Sequence, residues 1–178
     1  GHAPMGWGLP ATIGAAMAAP GKTIICLAGD GGIMLNIQEL ATVMHNKIPL
    51  KVFIYSNDGY LTIKQTQQLG FEGRLMGSTP ESGLSFPDFA GIAEAHAIKF
   101  KRVRTNAELD GMLADFIAEP GPAICELIMD PEQPQIPKTI NKRNPDGSIQ
   151  PTALLAKPNS TGELWKRCLM FFMPLFPM

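Results

Sequence analysis

Cysteine is scarce: Cys26, Cys125 and Cys168 are the only three in 178 residues, and none stands in a CxxC or Cys/His spacing. That excludes a zinc ribbon and a dithiol redox site. Two of the three, Cys26 and Cys125, fall inside apolar runs, where a thiol acts as small apolar filler in a reducing compartment. A basic patch is missing too. With 15 Lys and Arg against 16 Asp and Glu, the net charge is −1, and no cluster of one sign exists to hold nucleic acid. No apolar stretch is long enough to span a bilayer and no secretory signal is present, so the expected location is the cytoplasm. GxGxxG is absent as well. Gly29-Asp30-Gly31-Gly32 does not replace it, and no acid closes the second strand in the ribose-binding position, which leaves a nicotinamide-binding domain as the weaker rival.

What is present is a pair of short apolar runs that end in polar turns. Thr23–Ala28 (TIICLA) reads as a buried parallel strand and runs into Gly29-Asp30-Gly31. Leu50–Tyr55 (LKVFIY) does the same and ends in Ser56-Asn57-Asp58-Gly59. Open α/β sheets bind ligands beyond the carboxyl ends of their strands. Two such ends offer a carboxylate, an amide oxygen and a loop carbonyl, a hard oxygen set that suits Mg²⁺ or Ca²⁺ rather than zinc. Because Mg²⁺ completes its octahedron with water and substrate phosphates, the pattern asks for a diphosphate.

Gly29-Asp30-Gly31 with Asn57 after 25 intervening residues resembles the signature of thiamine diphosphate-dependent enzymes. Met5–Ala15 (MGWGLPATIGA) and Asn36–Thr42 (NIQELAT) are similar to segments of the acetolactate synthase branch, and the resemblance covers roughly residues 1–130. It implies the C-terminal, diphosphate-binding domain of a larger enzyme, as a fragment or an incomplete product, with a pyrimidine-binding domain and a central domain ahead of it. By resemblance, Asp30, Asn57 and the Gly59 carbonyl hold Mg²⁺. Gly29, Gly31, Gly32, Tyr60 and Leu61 lie against the cofactor, Met5 props it in a bent conformation, and the Ala3 carbonyl accepts from its 4′-amino group. The activating Glu belongs to the absent pyrimidine domain, on the same or a second subunit of a homodimer or tetramer. No catalytic residue is therefore expected in this chain, and Glu39 reads as a surface or interface carboxylate. FAD is possible in the full-length enzyme. The implied reaction decarboxylates a small 2-oxo acid and ligates the product to an acceptor. Other 2-oxo acid decarboxylases, polysaccharide-pathway enzymes and a non-catalytic cofactor-binding fragment stay open, because Leu61–Thr66 lacks the branch's G-M-V-x-x-W pattern.

The remaining chain alternates helices and strands, which predicts a doubly wound, mostly parallel α/β sheet with helices on both faces. Helices are expected over 8–19, over 33–46 with Ile33, Ile37, Leu40, Ala41 and Met44 inward, from Ser85, and from Asn106 to about Ile117. Further strands are expected over Lys99–Val103, with its charges outside, and over Ala123–Met129. Tyr60–Arg74 reads as a polar specificity loop, and Leu75–Ser85 as a second loop near the substrate. His96, without a carboxylate or Cys partner, reads as a helix-end residue. From Pro131 a Pro-rich polar tail (131–178) begins, divergent beyond about residue 153. Its end, Leu164–Met178, is too short and too broken by Lys166-Arg167 to span a membrane. That stretch either packs on a partner subunit or is the product of an altered reading frame.

Overall fold

The computed structural model describes residues 4–133 and 141–151. The chain divides into two units, Gly1–Glu132 and Gln133–Met178. The first is built on a four-stranded, wholly parallel sheet in the order β1-β2-β4-β3. Its elements run α1 (Gly8–Ala18), β1 (Ile24–Gly29), α2 (Asp30–Met34), α3 (Leu40–His45), β2 (Leu50–Ser56), α4 (Leu61–Gly70), α5 (Phe89–Ala95), β3 (Lys99–Val103), α6 (Asn106–Ala118) and β4 (Ala123–Ile128). This is the doubly wound α/β architecture read from the sequence.

Strand residues of one parity, Cys26, Leu50, Val52, Ile54 and Ile124, form a single cluster with Leu9, Ile33, Leu40, Val43, Phe89 and Ala93 from the helices. On the opposite parity Phe53 meets Phe116 of α6 edge-on, with centroids 5.2 Å apart. Helices thus cover both faces, as parallel sheets require. Central β2 is buried through Ile54, whereas edge strand β1 is more open than its apolar sequence implied, with Leu27 half-exposed. Lys51 of β2 is nevertheless fully buried: its ammonium donates to the carbonyls of Glu119 and Gly121, just past the end of α6. A cation at a helix C-terminus satisfies carbonyls that have no intrahelical partner.

Both described thiols are buried. Burial pushes the Cys26 thiol up, and drives Cys125, beside the Glu126 carboxylate, up to about 12. Such thiols stay protonated and unreactive. Cys168 lies outside the described residues.

Several expectations are corrected. The helix expected over 33–46 is three pieces: α2 begins earlier, at Asp30, and a 3-10 turn at Ile37–Glu39 separates it from α3. The break falls at Asn36 (φ −140°), whose side-chain amide donates to the Gly6 carbonyl at 2.8 Å rather than continuing a helix. That interruption shifts the register, so Val43 is inward and Ala41 faces solvent. The expected polar loop after Tyr60 is the ten-residue helix α4. Asp88, not Ser85, caps α5 by accepting from the Ala90 amide, and Thr105, not Asn106, caps α6 by accepting from Glu108. Of the β3 charges, Arg102 is not outside. It bonds Glu126, its register partner on β4, at 2.6 Å and reaches Asp88 at 2.5 Å.

The second unit, within the segment read as a Pro-rich polar tail, holds an antiparallel hairpin of β5 (Asn141–Arg143) and β6 (Ile149–Pro151). Gly147, at φ +85°, makes its turn. The proposed role of Leu164–Met178 falls outside the described residues. Among the described residues no helix is long and apolar enough to cross a membrane.

Phe53 anchors the α6 side of the sheet, so Phe53→Ala is expected to cost about 3–5 kcal/mol. Urea unfolding followed by circular dichroism measures it.

Candidate functional site

β1 and β2 pair in parallel with Gly29 opposite Tyr55, so their carboxyl ends lie side by side. Asp30 sits where β1 turns directly into α2 and is 2% exposed. One carboxylate oxygen accepts from the Gly31 amide at 2.7 Å. The other accepts from the amides of Asn57 at 2.9 Å and Asp58 at 2.8 Å, across the gap between the strand ends. Burial pushes the Asp30 carboxyl above its ordinary value, and the amides of Gly31, Asn57, Asp58 and Gly59 pull the other way. The carboxylate therefore clamps one loop onto the other.

The second loop is shaped to meet it. Asp58 lies in the left-handed region at φ +59°, a conformation that Asp and Asn tolerate better than other side chains. An Asn at this position would serve the backbone equally well. A Cβ on Gly59 would come within 2.7 Å of the Ser78 carbonyl, and the Tyr60 amide donates to that same carbonyl at 2.9 Å. Ser78 is in turn held by Gln67 of α4, whose side-chain oxygen accepts from the Ser78 hydroxyl at 2.7 Å and whose amide donates to the Met76 carbonyl at 2.9 Å. The Asn57 side-chain oxygen is buried and has no hydrogen-bond partner. An acceptor left so costs about 1–3 kcal/mol, and a cation would satisfy it. Among the described residues no three His, Cys, Asp or Glu side chains gather around a metal position, so a cation here would draw on amide and backbone oxygens beside the single Asp30 carboxylate.

The glycines divide in two. A Cβ on Gly29 or Gly32 meets nothing within 4 Å, which leaves their backbone open to a ligand. Gly31 is different, because the space on its Cβ side is already filled. A Cβ there would overlap the Tyr60 ring, 2.0 Å from its nearest ring carbon. Tyr60 in turn packs edge-on against Phe86 at 5.8 Å. Gly31 is thus needed for close packing between the two loops. The helix behind it, α2, has only five residues, and its Gly31 amide is spent on Asp30, so it supplies less dipole than a long helix would.

Met5 is half-exposed and not a core residue. Its neighbour Gly6, at φ +83°, lies against Leu35 and Asn36. Leu61 opens α4 beside the Asn57 loop, and Ala3 lies outside the described residues. His96 caps the end of α5 through its backbone, as a helix-end residue should. Glu39 accepts from the Thr42 hydroxyl at 2.8 Å. Sequence reasoning missed Asn36, Gln67 and Ser78. Asn36 stood inside a recognised motif, whereas Ser78 carries no sequence signal, since its carbonyl is what matters.

Residues 1–127 match the family model described as the thiamine pyrophosphate enzyme, C-terminal TPP binding domain. The acetolactate synthase large subunit of Cyanidium caldarium is 36% identical over 125 residues, 70% of this chain and 21% of that protein. Acetolactate synthase isozymes 2 and 1 of Escherichia coli K12 are 34% and 33% identical over 126 and 133 residues, 71% and 75% of this chain. The matches take in 22% and 23% of those two subunits, so the chain spans about a fifth of the length of these relatives.

Gly31→Ala should destabilise the Tyr60-containing chain and be largely tolerated when Tyr60→Ala removes the ring. A double-mutant cycle in urea is expected to show coupling of about 0.5–3 kcal/mol, the range for residues in contact.

Proposed function

The chain belongs to the C-terminal TPP-binding domains of thiamine pyrophosphate enzymes, and from that premise we propose that it holds the Mg²⁺-diphosphate end of the cofactor between the ends of β1 and β2. The observation that carries the proposal is the Asn57 side-chain oxygen, buried without a partner beside a buried carboxylate. Asp30, Asn57 and the Gly59 carbonyl are hard oxygen donors that fit Mg²⁺, with diphosphate oxygens and water completing six positions. Gly29 and Gly32 leave backbone open for the diphosphate, Tyr60 and Leu61 fix the loop, and Met5 supports the middle of the cofactor. When bound, thiamine diphosphate supplies an electron sink for decarboxylating a 2-oxo acid. The chain's own residues bind, orient and neutralise charge.

The activity proposed for the whole enzyme is that of its relatives' kind: carboligation after loss of CO₂ from a 2-oxo acid. In this reading the activating Glu comes from a pyrimidine-binding domain of the same or a second subunit. Met5, Trp7, Leu27 and Leu35 are all substantially exposed, and an apolar set of this size suits burial against such a domain in a homodimer or tetramer. The isolated chain is accordingly expected to turn over no pyruvate.

Calorimetric titration of thiamine diphosphate tests the site. Binding should require Mg²⁺, vanish with EDTA, and weaken in Asp30→Ala and Asn57→Ala by more than the roughly 100-fold that loss of a merely supporting group costs a metal site. Binding that is indifferent to Mg²⁺ in a folded chain would refute the proposal.

A further inference from the structure

Two aromatic rings converge on the backbone of Gly31. A Cβ built there would lie 2.0 Å from a ring carbon of Tyr60 and 3.2 Å from Cζ of Phe86. The rings themselves meet edge-on, with centroids 5.8 Å apart. Because the Gly31 amide donates to the Asp30 carboxylate, both rings bear on the residue whose N–H helps to orient that carboxylate. Tyr60 is anchored through its own amide, which donates to the Ser78 carbonyl. Phe86 needs a support of its own.

Phe86 stands in the middle of residues 84–88, which belong to neither helix nor strand. No ladder or helical hydrogen bonds fix such a stretch, so its place depends on what its ends are tied to. At one end the Leu84 amide donates to the Thr79 carbonyl at 3.1 Å. The other end is Asp88, whose Oδ1 accepts from the Ala90 amide at 3.2 Å, capping α5, and from the Arg102 guanidinium at 2.5 Å. Arg102 is itself held to β4 by the buried Glu126 carboxylate and lies over the Phe100 ring, 5.4 Å from its centroid. In the order β1-β2-β4-β3 it occupies the edge strand farthest from β1. Phe86 and Asp88 therefore link the carboxyl end of β1 to the opposite edge of the sheet. Stability alone explains this ion pair poorly. The Asp88 side chain is 63% exposed, exposed pairs contribute little, and an uncharged Asn would cap α5 as well.

We propose that Phe86 is a positioning residue for the diphosphate site: it seats Tyr60 over Gly31, and the Asp88–Arg102 ion pair holds it there from the far edge of the sheet. The inference rests on reading the Asp30–Asn57 junction as that site. It adds three residues, Phe86, Asp88 and Arg102, none of which is among the expected metal donors or cofactor-binding residues.

The test compares the full wild-type chain with Phe86→Leu, Asp88→Asn, the double variant and Phe116→Leu. Calorimetry gives the affinity for Mg²⁺-thiamine diphosphate, NMR gives the cofactor-free Gly31 and Asn57 amide resonances, and urea unfolding gives stability. Phe86→Leu should weaken binding about tenfold, the lower end of what a group supporting a metal ligand contributes. Asp88→Asn keeps the cap and removes no ring near Gly31, yet it should move both resonances. It should weaken binding roughly two- to fivefold, the range for a partly exposed ion pair, and have no further effect once Phe86 is replaced. Phe116→Leu, on the opposite face of the sheet, should lower stability while the folded chain keeps both its affinity and the two resonances. Unmoved resonances in Asp88→Asn, additive losses in the double variant, equal weakening by Phe116→Leu, or undiminished binding by Phe86→Leu beside a wild type that binds would each overturn the proposal alone. A folded wild-type chain that binds nothing would overturn the diphosphate reading, and the proposal with it.

Discussion

A buried carboxylate holds two loops that the sequence separates by some 25 residues. Asp30 has its oxygens turned to three backbone amides, two of them on the opposite strand end. Those bonds compensate part of the cost of taking a charge out of water, and burial still leaves the carboxyl with a raised pKa. An acid in that condition gains from a cation. The neighbouring Asn57 oxygen, also buried and unpaired, has the same need. One divalent ion carrying a diphosphate, as proposed, would meet both demands, so the loop junction and the cofactor proposal depend on the same few atoms.

The rest of the first unit supports that junction from outside. Parallel pairing of β1 and β2 brings the two ends together. Helix α4 and the turn after it then press on the second loop through backbone: Gln67 holds Met76 and Ser78, and the Ser78 carbonyl fixes Gly59 and Tyr60. Tyr60 closes the circuit by lying over Gly31. Each contact is short-range, yet together they make the position of a single loop carbonyl depend on the helix that follows it.

Strands and sheet type were legible in the chain because apolar runs of five to seven residues ending in Gly and Asp leave few other readings. That Asp30 and Asn57 lie together was legible from the two strand ends and from the resemblance to the thiamine diphosphate signature. The broken helix after Asp30 was not, since apolar residues keep helical spacing across Asn36 and the side-chain bond that stops the helix goes to Gly6, 30 residues away in sequence. Helix α4 was hidden for a related reason: its inward residues are Lys64 and Gln67, so no apolar stripe announces it. The exposure of Leu27 could not be read either, because an edge strand and a central strand share one composition and differ only in their neighbours.

The amide resonances of Gly31, Asn57, Asp58 and Gly59 test the junction most directly, recorded on the whole chain with Mg²⁺ alone, thiamine diphosphate alone, and both. The account requires those four to move together, strongly only when both are present, while α6 amides stay in place. Strong shifts with thiamine diphosphate alone, or shifts gathered elsewhere in the domain, would contradict the claim that Asp30 and Asn57 form one Mg²⁺-diphosphate site.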